Sequence, residues 1–215
     1  GIHDAQGMCE GYNRGLARCQ GDIVVFSHDD VEILTPEFTE RLKRHMARFD
    51  VVGVAGTQRL IGPGWFSSGP PFAIGQILHP VAGEFQVSFY GGYRQAMEGA
   101  QAIDGLFLAF RRDVIARVGW DQETFRGFHC YDIDCTYRAY RMGFRLAVVV
   151  DLPMMHMSGG KFDATWQDSA QLFVKKHGAT LAALPPRAYR PCVVQVRSKE
   201  EAVAMMKIFY ERLPE

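Results

Sequence analysis

Three short segments of this chain concentrate residues that can hold a metal ion or move a proton. The first, residues 26–33 (FSHDDVEI), places His28, Asp29 and Asp30 directly after an apolar run. Carboxylate oxygens with one imidazole suit Mn²⁺ or Mg²⁺, and such an ion suits bound phosphates. Adjacent acids after a strand are equally the chemistry of a turn and of the cap that follows it. The second, residues 128–145 (FHCYDIDCTYRAYRMGFR), sets Asp132 and Asp134 at the start of a helix. Backbone N–H groups and the helix dipole favour ionised carboxylates there, so capping accounts for one of the two. A carboxylate kept ionised in a cleft is also what a general base needs. The third, residues 151–160 (DLPMMHMSGG), sets His156 before two glycines. Its ring is either a ligand facing a cleft or a hydrogen-bonded structural histidine.

These segments must be positioned by regular elements. Met8, Tyr12 and Leu16 recur at four-residue spacing and predict an amphipathic helix over residues 4–19. Residues 23–27 (IVVFS) read as a buried strand. Thr35-Pro36-Glu37 opens a helix whose inner stripe is Phe38, Leu42, Met46 and Phe49. A strand over residues 51–55 completes a strand–helix–strand unit, so the core is α/β. Residues 57–103 lose the periodicity and scatter Trp65, Phe66, Phe72, His79, Phe85, Phe89, Tyr90 and Tyr93 among glycines and prolines. We expect an irregular connection there, its aromatics either lining a sugar-binding surface or pinning the loop in a satellite cluster. Regularity returns with a strand at 106–111, a short helix ending at Gly119 and a helix from about Asp134 to Met142. A strand at 144–150 follows, then a helix marked by Trp166, Ala170, Phe173 and Val174, and a last amphipathic helix over residues 198–212.

The bulk composition narrows the function classes. With 24 basic and 24 acidic residues the net charge is zero, which gives no electrostatic reason to expect a nucleic-acid partner. Hydrophobic residues at 47% and charged residues at 22% describe a folded domain. Five cysteines without a C-x-x-C pair argue against a disulfide framework and for a reducing compartment, hence a cytoplasmic protein, at most peripheral at the inner membrane face. The first residues, GIHDAQGM, carry neither an initiator Met nor a signal-peptide core and read as an internal start.

The acid pair after a strand, the second acid pair at a helix start and the histidine after a late strand occur in an order that resembles the family 2 glycosyltransferases of the GT-A fold. The match is closest to a bacterial branch whose metal motif reads His-x-Asp-Val. It runs from AQGMCEGYNRGLARCQGDIVVFSHDDVEI through AIDGLFLAFRRDVIARVGWDQETF and YDIDCTYRAYRMGFRLAV to MMHMSGG and WQDSAQLFVKKHG. The resemblance implies an α/β fold with a GT-A-like mixed sheet flanked by helices. It implies transfer of a sugar from a UDP- or GDP-linked nucleotide-diphosphate donor to a glycan, lipid-linked or protein acceptor, with inversion.

Carried over by residue, Asp30 is the acid that holds a divalent metal, Mn²⁺ or Mg²⁺, on the donor diphosphate. His28 stands where the family has the first Asp of Asp-x-Asp, and His156 is a further ligand. Asp132 is the general base. Tyr131 occupies a Glu position beside it, and Asp104 and Gly105 match a segment near the sugar and acceptor. Arg138 pairs with phosphate or with Asp134, and Asp134, Tyr131 and Trp65 are further substrate-contact candidates.

The family's first strands, which hold the base and ribose, have no counterpart before Asp4. Residues 1–190 are therefore expected to form an N-terminally truncated transferase domain and residues 191–215 a helical extension. An exposed sheet edge, homo-oligomer formation or further domains on a longer chain follow from that reading. Two other functions compete with it. One is a catalytically silent sugar- or nucleotide-binding domain; the other is a metal-dependent hydrolase using His129, Cys130, Asp132, Asp134 and His156.

Overall fold

The structure, a computed structural model, describes residues 2–183 and 190–215. Two mixed sheets form its centre, with helices packed around them. The first sheet has the order β1 (Ile23–Ser27), β9 (Phe107–Arg111), β3 (Val51–Gly53), β10 (Leu146–Val149), β7 (Ala96–Glu98). β9 lies antiparallel between β1 and β3, so β1 and β3 run parallel, as a strand–helix–strand unit through α2 (Phe38–Met46) requires. β10 extends it in parallel. The central strands are apolar on both faces and almost wholly buried, from Val51 and Val52 to Leu108, Phe110 and Val148.

The second sheet is what the sequence reading missed. Its order is β12 (Cys192–Val196), β6 (Glu84–Gly91), β5 (Ala73–Val81), β11 (Met154–His156), β2 (Val31–Ile33). β4 (Ala55–Thr57) adds to β5 on one side and to β8 (Ala102–Ile103) on the other. Residues 57–103, expected to be irregular, thus contain the longest hairpin among the described residues. Val81 faces Glu84 across it, so only Ala82 and Gly83 form the turn, both at positive φ (52° and 87°). That is the twist-matched two-residue turn, with Ala where Asn or Asp is usual, and this hid the signal.

Two further expectations are corrected. The C-terminal segment is not a helical appendage: β12 pairs along β6, and α6 (Lys199–Glu211) packs Phe209 against Phe89 of that strand. The helix that begins the 131–141 stretch starts earlier than Asp134. Cys130 takes a left-handed conformation (φ 60°), turns the chain, and makes Tyr131 the first residue of α4 (Tyr131–Arg141). The remaining helices are α1 (Met8–Leu16), α3 (Arg112–Val118) and α5 (Ala164–His177), the last capped by Asp163. Among the described residues no helix is long and apolar enough to cross a membrane.

Candidate active site

The C-terminal end of β1 delivers the first segment. His28 N still bonds to the Leu106 carbonyl and so belongs to the first sheet. The chain then crosses to the second, where Val31 of β2 pairs with His156 of β11, and Met157 N donates to the Asp30 carbonyl. His28 and His156, 128 residues apart, are thereby brought ring to ring. His28 Nδ1 is 3.2 Å from His156 Nε2. Asp30 Oδ1 is 3.2 Å from His156 Nε2 and 4.0 Å from His28 Nδ1.

Among the described residues, His28, Asp30 and His156 are the group whose donor atoms could share a metal ion, all within 4.8 Å of one another. Ligand atoms at right angles around an ion with bonds of about 2.1 Å lie about 3 Å apart, so the spacing fits. The charges fit as well. Burial would raise the Asp30 pKa, but the Ser158 hydroxyl and the two imidazoles outweigh it and hold the carboxylate below its ordinary range. Burial, and with it the neighbouring His28, lowers the pKa of His156 although the Asp30 charge pulls the other way, which favours the unprotonated, ligating ring.

Asp132 sits in the first turn of α4 and shares with His28 and His156 a cavity of about 590 Å³. Its Oδ2 accepts a hydrogen bond of 2.7 Å from Gly105 N. Burial, and then the nearby Asp104 charge, push its pKa up to about 7, against the opposing pull of the Ile133 and Gly105 amides. A partly desolvated carboxyl poised near neutrality is suited to general-base work. Asp104 is fixed beside it: Oδ1 accepts from Leu106 N and Oδ2 from Trp65 Nε1, at 2.9 and 2.6 Å. Gly105 is required by close packing, because a Cβ there would meet the Tyr131 hydroxyl at 2.4 Å. Tyr131 is buried, with its hydroxyl 2.9 Å from His28 Nε2. It therefore faces the histidine cluster.

Two expected substrate contacts lie elsewhere. Asp134, two residues from Asp132, points away from the cavity into a closed ion cluster. It accepts from Arg138 Nε at 2.8 Å and His177 Nε2 at 2.7 Å, with Lys176 Nζ at 2.6 Å. Arg138 also donates to the Val118 and Gly119 carbonyls. These partners use up both side chains in joining α4 to α5 and to the end of α3.

The scattered aromatics divide between two places. Trp65, Phe66 and Tyr90 line the cavity, whereas Phe85 and Phe89 pack in a satellite cluster under α6. The sequence reading missed His79, whose Nδ1 lies 3.1 Å from the His156 carbonyl, and also Lys161, Phe162 and Trp166 on the cavity wall. Ile77, His79 and Val81 line it at every second position of β5, an alternation visible once the strand is recognised. Lys161 follows the two glycines already noted. Cys130 also lines the cavity, but burial and the Asp132 charge push its thiol up to about 12, away from the thiolate form that a nucleophile needs. A larger hollow of about 950 Å³ lies at the opposite end of β1, between Asn13, Lys43 and Arg112, and gathers no comparable cluster.

A search of the curated proteins finds none that matches this chain. The model of a family described as a glycosyltransferase-like family matches residues 1–177, which include every metal-ligand and base candidate above. With that match over most of its length, and with two mixed sheets flanked by helices, the chain belongs to the glycosyltransferase-like family.

Proposed function

We propose that the protein transfers a sugar from a UDP- or GDP-linked donor to an acceptor hydroxyl with inversion at C1. Asp132 is the general base, and His28, Asp30 and His156 hold a divalent cation, Mn²⁺ or Mg²⁺, against the donor diphosphate. The observation that carries this reading is the meeting, in one cavity, of a carboxyl pushed up to about 7 with the two imidazoles that, together with Asp30 beside them, could share an ion. The acceptor, a glycan, a lipid-linked sugar or a protein side chain, presents its hydroxyl to Asp132. Asp132 takes the proton as the oxygen bonds to C1 and the C1–diphosphate bond breaks. Gly105 N holds Asp132 Oδ2 and so fixes the carboxyl at the cavity. A cation held by His28, Asp30 and His156 would supply positive charge to the departing diphosphate, and Lys161 on the cavity wall would add to it. Five free cysteines support a cytoplasmic setting for the reaction, at most peripheral at the inner membrane face.

The test is release of nucleoside diphosphate from UDP- and GDP-sugars in the presence of candidate acceptors, with and without Mn²⁺. Metal-dependent release lost in Asp132→Asn, with donor binding retained, is the expected result. Donor binding without turnover by the wild type would support the silent-domain reading instead.

A further inference from the structure

The floor of the cavity is one face of the second sheet, and the pattern of that face continues past the site. Leu78 of β5, Val87 of β6 and Val196 of β12 turn to the other face, where they pack with Ala202 and Met206 of α6. The alternate residues therefore turn to the cavity side. Strand register sets them in two rows, His79 beside Gln86 beside Gln195, and Ile77 beside Ser88 beside Val193. His156 of β11 heads the first row, its ring centroid 5.6 Å from that of His79. Three strand spacings of about 4.8 Å separate β11 from β12, so the row runs for about 14 Å. Gln86 is half-buried and Gln195 exposed, and among the described residues neither side-chain amide has a hydrogen-bond partner.

A wall of aromatic rings stands beside this floor. Tyr90 of β6 lies 4.6 Å from Trp65, Trp65 5.9 Å from Phe66, Phe66 5.5 Å from Phe162 and Phe162 5.1 Å from Trp166. The wall begins at the candidate base: Trp65 Nε1 donates to Asp104, and the amide of Gly105, the next residue, holds Asp132. It reaches solvent at Phe162, which is 55% exposed.

We propose that the acceptor is an uncharged oligosaccharide, with its reacting residue at Asp132 and the following residues lying between the aromatic wall and the Gln86–Gln195 row. The proposal rests on the transferase reading and names the acceptor class within it. A sugar ring presents C–H groups on its faces, which suit aromatic rings, and hydroxyls around its rim, which a side-chain amide can both donate to and accept from. A floor three strand spacings long is more than one sugar ring can cover. A lipid chain laid along the same floor would desolvate the two amides without giving them partners. Neither row contains Lys or Arg, so an anionic chain would meet no countercharge on the floor.

The experiment uses the whole chain and a panel of neutral mono-, di- and tetrasaccharides of glucose, galactose, mannose and N-acetylglucosamine, beside octyl glycosides and a serine-containing peptide. Binding is read from the fluorescence of Trp65 and Trp166, and transfer from nucleoside diphosphate released by UDP- and GDP-sugars. The preferred tetrasaccharide should bind at least about tenfold more tightly than its own monosaccharide. Gln195→Ala should lower kcat/KM about three- to tenfold on the tetrasaccharide but less than about twofold on the disaccharide, whereas Gln86→Ala should lower both. Phe162→Ala should weaken tetrasaccharide binding by about tenfold. A general loosening of the fold would lower both acceptors alike, so the dependence on length isolates the contact. Affinity independent of saccharide length, equal losses on both acceptors in Gln195→Ala, no saccharide bound at all, or transfer confined to the octyl glycosides or the peptide would each overturn the proposal. Length-dependent saccharide binding without release of nucleoside diphosphate would overturn the transferase reading and leave the saccharide groove standing; transfer that ignores saccharide length would do the reverse.

Discussion

Asp132 and Asp134 stand two residues apart in the first turn of one helix, yet they occupy opposite electrostatic worlds. Asp134 is fully buried among Arg138, Lys176 and His177, and these partners hold its carboxyl below the ordinary range although burial pulls the other way. Among the described residues no cation pairs with Asp132; burial and Asp104 push it up. The helix N-terminus is common to both, so its dipole cannot be what separates them. The partners on the facing elements decide, α5 for Asp134 and the Asp104–Gly105 turn for Asp132. One carboxyl is held ionised by its partners, and the other is pushed toward its protonated form.

Substitution should separate the two most sharply. Asp132→Asn should lower transfer by about 10²- to 10⁴-fold while leaving Mn²⁺ affinity intact, as checked by product release beside calorimetry. Asp134→Asn should leave transfer per folded molecule near the wild-type value but cost about 3–5 kcal/mol in urea unfolding, since Arg138, Lys176 and His177 lose their shared carboxylate.

The pH dependence of stability should run in opposite senses. The folded-state pKa of Asp134 is depressed, so its contribution is present above an unfolded value of about 3.9 and is lost as pH falls through the folded value. Asp132 is raised, so its contribution is full below about 3.9 and is lost as pH rises toward about 7. Unfolding of Asp132→Asn should therefore show a gain over wild type that grows across that window, and a variant less stable than wild type at neutral pH would break the comparison.

Gly105→Ala, which drives a methyl group into the Tyr131 hydroxyl, should cost about 1–3 kcal/mol by thermal melting. The smallest effect concerns the rate profile: transfer should rise with pH through about 7, and Asp104→Asn should move that limb to lower pH by roughly one unit.

How far the sequence disclosed all this depended on whether a signal was local. β1, α2 and the α4 helix showed themselves through periodicity and punctuation, and with them the segments carrying His28, Asp30 and Asp132. The pairing of the two acids at 132 and 134 was visible, but which of them was structural was not, because Lys176 and His177 lie more than forty residues further on. The β5–β6 hairpin hid behind an alanine at a turn position and a proline near the end of β5, and His79 was lost with it. Tyr131 suffered a related fate. In the sequence it stood at a Glu position as a substrate-contact candidate, and its contact with His28 shows only in the fold.

The crossing of the chain between His28 and Val31 has a mechanical consequence. His28 is anchored in the five-stranded sheet, whereas Asp30 and His156 are tied together along β2 and β11 of the other. A cation gripped by all three would act as a rivet between the sheets, and the strength of its grip would measure how well they are aligned. Strain introduced far off, anywhere that shears one sheet against the other, should then be felt first as a loosened ion. In the opposite direction, loading the site should raise the melting temperature of the whole body and not of the loops alone.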